Sequence, residues 1–237
     1  MKSPRMTDRA RVTEIFSSLQ GEGLRMGERH LFIRFEACQL ECSYCDEKLK
    51  RGKTMSLAAV LRAVDVLENT SGPHAYVCFT GGEPLLYGAF LKPLCRALRK
   101  RGYRILLETN GVLSHALQGI RGQCDLIAMD VKLASVGGGE DLLKEHTEFL
   151  KGVGGAETYI KMVVSPGIDR LEYLSHMRMI ASLAPNVPVF LQPVGQRDGG
   201  LPGPQLLKLL RHLQRVGQIM HRDVRLGIQL HKLLNIR

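Results

Sequence analysis

The chain has 237 residues, 44% of them hydrophobic, which is enough to bury one sizeable core, so we expect a single domain over residues 1–237. Its net charge is +10, but the lysines and arginines are scattered along the chain and tryptophan is absent. These features argue against direct nucleic-acid binding and favour attraction for acidic small molecules. No run is apolar enough to span a bilayer and no secretory signal is visible, so we expect no membrane association and a cytoplasmic location.

Strand-like and helix-like segments alternate along the chain after a polar, basic stretch at residues 1–11, which we expect to be a loose lead-in. Apolar residues cluster in short runs in the strands and recur at helical spacing in the helices. The predicted strands are 12–16, 31–35, 75–79, 103–107, 125–132, 158–164 and 188–193; the predicted helices are 56–68, 89–101, 140–150, 171–183 and 205–216, with a basic connector at 48–53.

The repeat of strand and helix at about thirty residues per unit favours an α/β protein with a parallel sheet. About six such units are present, which is too few for a closed barrel of eight parallel strands. We therefore predict a partial (β/α)6-type barrel, an open parallel sheet with the helices outside.

Three of the six cysteines fall within eight residues, directly after the strand at 31–35: Cys38, Cys42 and Cys45, spaced C-x3-C-x2-C. Three thiolates on one loop can converge on one metal centre, and soft sulfur ligands favour zinc or an iron–sulfur cluster. An iron–sulfur cube usually takes four cysteines, and no fourth stands nearby. Three ligands leave one metal position open, as catalytic centres do.

The same cysteines could instead serve a structural or redox role. A structural zinc site needs a fourth ligand, and the nearest imidazole, His30, is predicted at the far end of the strand. A thioredoxin-like pair of Cys42 and Cys45 would leave Cys38 without a role, and a disulfide framework is unexpected in a chain of this length. We expect Cys78, Cys95 and Cys124 to be small buried hydrophobic residues.

Polar residues also lie at or just past the carboxyl ends of several predicted strands, namely Thr80–Pro84, Glu108–Asn110, Asp130–Lys132 and Gln192. The carboxyl ends of parallel strands form the active-site edge of barrel enzymes, so we expect these residues to share one site. Near the start of the chain, Glu22 stands between two glycines that permit close approach of the backbone to a ligand.

The cysteine spacing, with Tyr44 before the last cysteine, and Gly81-Gly82-Glu83-Pro84 resemble the radical S-adenosylmethionine (SAM) superfamily. The resemblance is stronger to its 7-carboxy-7-deazaguanine synthase family and runs over nearly the whole chain. The motifs that carry it are Phe16-x-x-Leu19-Gln20-Gly21-Glu22-Gly23, Phe32–Phe35, the cysteine loop with Asp46, Thr80–Pro84, Glu108–Gly111, Leu191–Pro193 and His231–Arg237.

The resemblance implies a role for each matching residue. Cys38, Cys42 and Cys45 would hold a [4Fe–4S] cluster whose fourth iron is chelated by SAM. Residues expected at the SAM site are Tyr44, Asp46, Gly82, Glu83, Asp130, Val131, Lys132 and Gln192. A pterin substrate would contact the main chain of Leu19, Gln20 and Gly21, the side chains of Arg34 and Thr80 and the carboxylate of Arg237, with Arg34 and Glu22 as the catalytic candidates.

The reaction implied by the resemblance is ring contraction of 6-carboxy-5,6,7,8-tetrahydropterin to 7-carboxy-7-deazaguanine with loss of ammonia, in queuosine or other 7-deazapurine biosynthesis. A 5′-deoxyadenosyl radical would start it, and an electron donor such as flavodoxin or ferredoxin would reduce the cluster. Homodimers and a Mg²⁺ ion beside the substrate carboxylate are also implied.

One position departs from the family pattern. Glu47 stands where the family usually has a threonine that binds Mg²⁺. A carboxylate is a good ligand for a hard cation, so Glu47 can replace the hydroxyl, but its charge can also repel the substrate carboxylate. The alternatives are therefore a radical SAM paralogue with another substrate, a glycyl-radical activase, or, from another class, a zinc-binding module associated with nucleic acid.

Overall fold

The computed structural model describes residues 8–45, 51–195 and 201–236. Within these ranges the strands are β1 Arg9–Leu19, β2 Arg29–Phe35, β3 Lys53–Ser56, β4 Tyr76–Gly81, β5 Arg104–Thr109, β6 Leu126–Val131, β7 Glu157–Val164, β8 Val189–Pro193 and β9 Val224–Leu226. The α-helices are α1 Leu57–Ser71, α2 Gly88–Lys100, α3 Ser114–Gln118, α4 Ala134–Gly137, α5 Leu143–Gly152, α6 Arg170–Leu183, α7 Pro204–Met220 and α8 Leu230–Leu233.

The strands form one open sheet in the order β3-β1-β2-β4-β5-β6-β7-β8-β9. From β2 to β9 every neighbouring pair is parallel, whereas β1 runs antiparallel to both β2 and β3. The connections between the parallel strands carry helices, as crossover units require. The predicted open α/β architecture is confirmed.

The two faces of the sheet bury different side chains, because successive residues of a strand point to opposite sides. One face packs against the helices: Ile33 and Phe35 of β2 share a large core with residues of α2 such as Leu94 and Leu98. The opposite face, here called the inner face, carries a smaller apolar cluster: Phe16, Phe32, Tyr76, Cys78, Leu106, Leu126, Ala128 and Tyr159. Cys78, Cys95 and Cys124 are buried, as predicted.

The sequence-based boundaries are wrong at the edges of the sheet. Arg9–Arg11 belong to β1 rather than to a loose lead-in, because Ala10 and Val12 are buried and Arg11 pairs with Glu36 at 2.7 Å. The expected connector ends in β3, which pairs with the start of β1, and β9 adds a further parallel strand at the opposite edge.

Side chains cap the starts of two helices. The Ala59 N–H donates to Ser56 Oγ at 3.3 Å, so Ser56 caps α1. Asp169 does the same for α6 by accepting from the Leu171 N–H. No helix in the described ranges is long and apolar enough to cross a membrane.

Candidate functional site

A layer of polar residues lies beyond the apolar cluster on the inner face. On six parallel strands, an apolar residue that points to the inner face is followed two positions later by a polar or charged residue that points the same way. Arg34 and Thr80 are register partners on β2 and β4, and Asp130 and Lys161 are partners on β6 and β7. The six apolar-to-polar steps are Phe32 to Arg34, Cys78 to Thr80, Leu106 to Glu108, Ala128 to Asp130, Tyr159 to Lys161 and Phe190 to Gln192.

Two segments distant in sequence cover this face. The turn after β1, residues 20–28, lies over it so closely that a Cβ on Gly23 would overlap the Tyr159 ring. The C-terminal segment docks on the same turn, since the Leu230 N–H donates to the Gly21 carbonyl at 2.9 Å. A Cβ on Gly21 would overlap the His231 imidazole. The left-handed backbone at Gly23, with φ of +68°, also favours glycine, whereas a side chain at Gly21 would force the His231 ring to move.

The cysteine loop leaves the carboxyl end of β2. Cys38 and Cys45 are exposed and Cys42 is partly buried. The loop is anchored on α4, because Ser43 N–H and Oγ donate to the carbonyls of Gly137 and Val136 at 2.7 and 3.2 Å. Burial raises the pKa of the Cys38 and Cys42 thiols, so a bound cation is needed to hold them as thiolates.

Donors already surround the first cysteine. The Leu40 N–H lies 3.4 Å and the Asn110 side-chain amide 3.7 Å from Cys38 Sγ, and both donate to it. Asn110 also accepts from the Gln39 amide at 3.1 Å, so it ties the end of β5 to the cysteine loop. Hydrogen bonds to sulfur tune the potential of iron–sulfur clusters.

Gly81 and Gly82 hold the base of this loop. A Cβ on Gly82 would overlap the Ala37 carbonyl, and the N–H groups of Gly82 and Glu83 donate to the carbonyls of Phe35 and Ala37 at 2.8 and 2.6 Å. The sequence predicts that these glycines approach the cofactor. In the structure their missing side chains make room for the residues just before Cys38.

Glu83 is fully buried beneath the same loop. Its carboxylate accepts from Thr109 Oγ1 at 2.9 Å and from the N–H groups of Asn110 and Leu85 at 2.8 and 3.0 Å. Burial raises its pKa. Oε1 accepts two of these bonds and Oε2 one, so among the described contacts one lone pair of Oε2 is left for the predicted contact with the cofactor.

A chain of charged groups crosses the centre of the inner face. Asp130 Oδ2 lies 2.8 Å from the Lys132 ammonium and 3.2 Å from that of Lys161. Lys161 also donates to Glu22 at 2.6 Å, and the Gln229 amide donates to the other Glu22 oxygen at 2.8 Å. Asp130 Oδ1 is buried and has no hydrogen-bond partner among the described residues, so it can accept from a ligand.

These ion pairs oppose the effect of burial on each group. Burial would raise the pKa of Glu22, but Lys161 lowers it overall. Burial would likewise raise the pKa of Asp130, and Lys132 and Lys161 lower it. Burial would lower the pKa of Lys161, and Asp130 and Glu22 raise it well above its usual value. All these groups are therefore charged at neutral pH.

The predicted pterin residues gather at the other end of the face. Thr80 Oγ1 and the Gln20 side-chain amide both donate to Glu108, at 2.7 and 3.0 Å. Arg34 lies over the Phe16 ring, and its Nε is 3.8 Å from Glu14 on β1. The long Arg34–Glu14 distance allows the guanidinium to exchange partners when a carboxylate binds. Leu19 ends β1 at the start of the covering turn.

The remaining predicted SAM residues lie around the Asp130 end. Tyr44 is under the Lys132 ammonium, 5.2 Å from its ring centre, and burial raises the Tyr44 pKa. Gln192 is buried beside a crevice that it shares with Gln229 and Lys232. The Val131 side chain belongs to the core under the helices, so only its main chain can face a ligand. Asp46, Glu47 and Arg237 lie outside the described residues.

Sequence reasoning missed Lys161, assigned no role to Glu108 and overlooked Gln229. It considered residues at or past the carboxyl ends of strands, whereas Lys161 lies near the middle of β7, which continues to Val164. A signal was present: a lysine inside the apolar run from Tyr159 to Val164 has to find partners or leave the core.

A buried histidine pair stands behind the Asn110 turn. His146 Nε2 lies 3.2 Å from the Asn110 carbonyl, and His146 Nδ1 lies 3.4 Å from His176 Nε2. His176 Nδ1 lies 3.0 Å from the Glu172 carbonyl within α6. Burial, together with His176, lowers the pKa of His146 from 6.5 to about 4, so this ring is neutral at pH 7.

The donor set fits an iron–sulfur cluster better than a single zinc ion. The three thiol sulfurs do not all lie within 4.8 Å of one another, whereas thiolates on one tetrahedral zinc would be roughly 3.8 Å apart. His30 is buried in β2 and cannot reach the loop as a fourth ligand, and the other cysteines are in the core. Three exposed or partly exposed thiols with N–H donors to Cys38 are the arrangement a site-open cluster needs.

Comparison with known proteins agrees with this geometry. The profile of the radical SAM superfamily matches residues 32–180. The 7-carboxy-7-deazaguanine synthase of Geobacter sulfurreducens is 33% identical over 245 residues, covering 95% of this chain and 97% of that protein. The enzyme of the same name from Methanopyrus kandleri is 33% identical over 256 residues, covering 98% and 96%.

Solved structures show the same fold. The crystal structure of QueE from Escherichia coli superposes with a TM-score of 0.64 at 22% identity, covering 98% of this chain and all of that one. Archaeal TYW1 gives a TM-score of 0.51 at 16% identity over 81% of this chain and 72% of that one. With its cysteine loop, its open parallel sheet and relatives matched over nearly their full length, the chain belongs to the radical SAM superfamily and, within it, to the 7-carboxy-7-deazaguanine synthase family.

Proposed function

We propose that this protein converts 6-carboxy-5,6,7,8-tetrahydropterin to 7-carboxy-7-deazaguanine with loss of ammonia, in the biosynthesis of queuosine or another 7-deazapurine. The observation that carries the proposal is the placement of Arg34, Thr80 and Glu108 on the face that the cysteine loop borders. Relatives of that name at 33% identity over nearly the whole chain support the same reaction.

Cys38, Cys42 and Cys45 would hold the [4Fe–4S] cluster, and SAM would bind beside it. Together these groups supply one-electron chemistry that generates a carbon radical, and the protein supplies binding, orientation and exclusion of water. Asn110 and the Leu40 N–H stabilise the Cys38 sulfur. The Gly81-Gly82 segment and Glu83 hold the cysteine loop and the end of β5 in a fixed position relative to each other.

The charged centre of the face suits SAM, which carries both an ammonium and hydroxyl donors. Asp130 offers its unpartnered Oδ1 as the acceptor, while Lys132 keeps the carboxylate ionised. Tyr44, Gln192 and the main chain of Gly82 and Val131 would complete the site. A direct contact from Glu83 would use the second lone pair of Oε2, and the ligand would have to reach this buried carboxylate beneath the cysteine loop.

The opposite end of the face suits a carboxylated pterin. The Arg34 guanidinium can form paired hydrogen bonds with the substrate carboxylate if its loose contact with Glu14 gives way. Glu108 is an acceptor for the amino and ring N–H groups of a pterin, with Thr80 and Gln20 fixing its position. Main-chain groups of Leu19–Gly21, the Glu22 side chain and the Arg237 carboxylate would close the site.

Further predictions accompany this function. Asp46 and Glu47 are expected near the cofactor and a Mg²⁺ ion. Cluster chemistry also needs an electron donor, for which a flavodoxin or a ferredoxin is the expected type. A homodimer, one radical SAM domain and a reducing cytoplasmic location remain predictions, the last supported by six cysteines that form no disulfide.

The test is anaerobic turnover of the reconstituted protein with SAM, Mg²⁺, a reductant and 6-carboxytetrahydropterin, followed by mass spectrometry. We expect 7-carboxy-7-deazaguanine from the wild type, with 5′-deoxyadenosine only from cofactor cleavage that is not coupled to product, and neither compound from Cys42→Ala, which lacks one cluster ligand. Formation of 5′-deoxyadenosine without the deazaguanine product would instead favour a paralogue with another substrate. A glycyl-radical activase is disfavoured because residues 20–28 and the C-terminal segment cover the inner face, where a partner's loop would have to enter.

A further inference from the structure

Lys161 joins two parts of the inner face that are expected to bind different molecules. Its ammonium lies 3.2 Å from Asp130 Oδ2 on β6 and 2.6 Å from Glu22 Oε2 in the covering turn. Asp130 stands at the proposed cofactor end, and Glu22 belongs to the turn that borders the proposed pterin end. Through Glu22 and Gln229 the same contacts reach the C-terminal segment.

Burial of these charged groups costs free energy unless each carboxylate and each ammonium keeps its partner. Lys161 is only 21% exposed, and a charge so far removed from water has to be compensated by partners. Glu22 and Asp130 are 13% and 17% exposed, so each carboxylate also depends on a nearby ammonium. Asp130 has a second partner in Lys132, whereas Glu22 accepts otherwise from the neutral Gln229 amide. A change in the position of Asp130 therefore changes how Lys161 is shared with Glu22.

We propose that Lys161 is a positioning residue that transmits occupation of the cofactor site at Asp130 to the turn at residues 20–28. A ligand that donates to Asp130 Oδ1 withdraws negative charge from Oδ2. The Lys161 ammonium then pairs more closely with Glu22 and holds the turn and Gln229 against the inner face. The cofactor therefore binds first. The pterin binds second, when the turn is already fixed in place. This inference rests on the proposed function for the identity of the two ligands.

The turn itself offers a readout that does not involve the pterin. Its hydrogen bonds include Gln20 N–H to the Glu28 carbonyl at 2.7 Å and Gly27 N–H to the Gln20 carbonyl at 2.8 Å. Amide hydrogen exchange reports on such bonds, because exchange requires local opening. Addition of SAM alone to the reconstituted protein should slow exchange in peptides covering residues 20–28 and 229–236 by about 10-fold, a typical coupling between two sites.

Lys161→Met, which keeps the length of the side chain and removes the charge, is the main variant. We expect it to bind SAM within about threefold of wild type by equilibrium dialysis, because Lys132 still faces Asp130, and to lose the SAM-dependent slowing of exchange. Lys161→Arg should retain most of the slowing. Lys151→Met is the matched control, since Lys151 is exposed on α5 and pairs only with Glu148 among the described residues.

Turnover gives a second readout. If the turn is not fixed before chemistry begins, cofactor is consumed without product, so the ratio of 5′-deoxyadenosine to deazaguanine should rise in Lys161→Met and stay at the wild-type value in Lys151→Met. Unchanged SAM-dependent slowing in Lys161→Met would overturn the proposal. Loss of SAM binding in both Lys161 variants would also overturn it, because Lys161 would then serve the cofactor site alone. A wild type that shows the slowing but makes no deazaguanine would refute the proposed function and leave the role of Lys161 supported.

Discussion

Replacing Gly82 with alanine should disrupt assembly of the cluster, not only binding of SAM. The new Cβ would overlap the Ala37 carbonyl and lie 2.8 Å from the Glu36 carbonyl, and neither backbone group can rotate away. The segment before Cys38 would have to move, which would break the Gly82-to-Phe35 and Glu83-to-Ala37 hydrogen bonds. Two lost bonds at about 1 kcal/mol each and overpacking of about 1–3 kcal/mol give a destabilisation of about 3–5 kcal/mol.

Iron and sulfide content per chain and the thermal midpoint under anaerobic conditions measure this effect. For a protein of this size, we expect the midpoint to fall by roughly 10 °C and the reconstituted iron content to fall with it. Gly152→Ala is the control, because its Cβ would meet open space at the end of α5 and should be neutral or slightly stabilising. A Gly82→Ala protein with wild-type iron content and midpoint but weaker SAM binding would refute this reasoning and restore a direct role for Gly82 in cofactor approach.

Two further predictions concern single side chains. Arg34→Ala should weaken binding of 6-carboxytetrahydropterin by about 30-fold or more, because it removes one charged pair worth about 2 kcal/mol. Parallel dialysis should show little effect on SAM binding. Equal losses for both ligands would contradict the carboxylate role. His146 remains neutral in the folded protein down to about pH 4, whereas its pKa in the unfolded chain is near 6.5, so the unfolded state binds the extra proton between these values. The free energy of unfolding should therefore decrease as the pH falls through this window, by about 3 kcal/mol from this residue. In His146→Gln, the free energy of unfolding measured against pH should decrease less. An unchanged pH profile would show that the ring is not held neutral.

The parallel part of the fold follows from the sequence because its signals are local. The strand at 31–35 and the cysteine loop after it need only the order of residues, and Ser56 marks its own helix start. The edge strands are harder to predict, since β3 has four residues and is defined by its pairing with the start of β1 rather than by its own pattern.

The residues of the candidate site also differ in whether their positions can be predicted from the sequence. Residues next to a motif, such as Arg34 and Thr80, can be placed from the sequence because register puts them side by side. Lys161 cannot, because its partner Glu22 is 139 residues away and belongs to a turn whose course no local pattern specifies. The motif correctly predicts that Gly82 lies beside the cysteine loop, but it does not predict that Gly82 packs against the backbone of that loop. Close approach of two backbone segments leaves no sign in the sequence beyond the glycine itself.

The histidine pair behind Asn110 has a consequence for the direction of its hydrogen bonds. Because burial keeps the His146 ring neutral at pH 7, that ring carries a single proton. A carbonyl oxygen can only accept, so the contact of His146 Nε2 with the Asn110 carbonyl places this proton on Nε2 and leaves Nδ1 as an acceptor. His176 Nε2, 3.4 Å away, therefore donates to His146 Nδ1. The chain of donors points from α6 towards the turn that holds Cys38, and it keeps the Asn110 carbonyl fixed without a charge on the ring next to it.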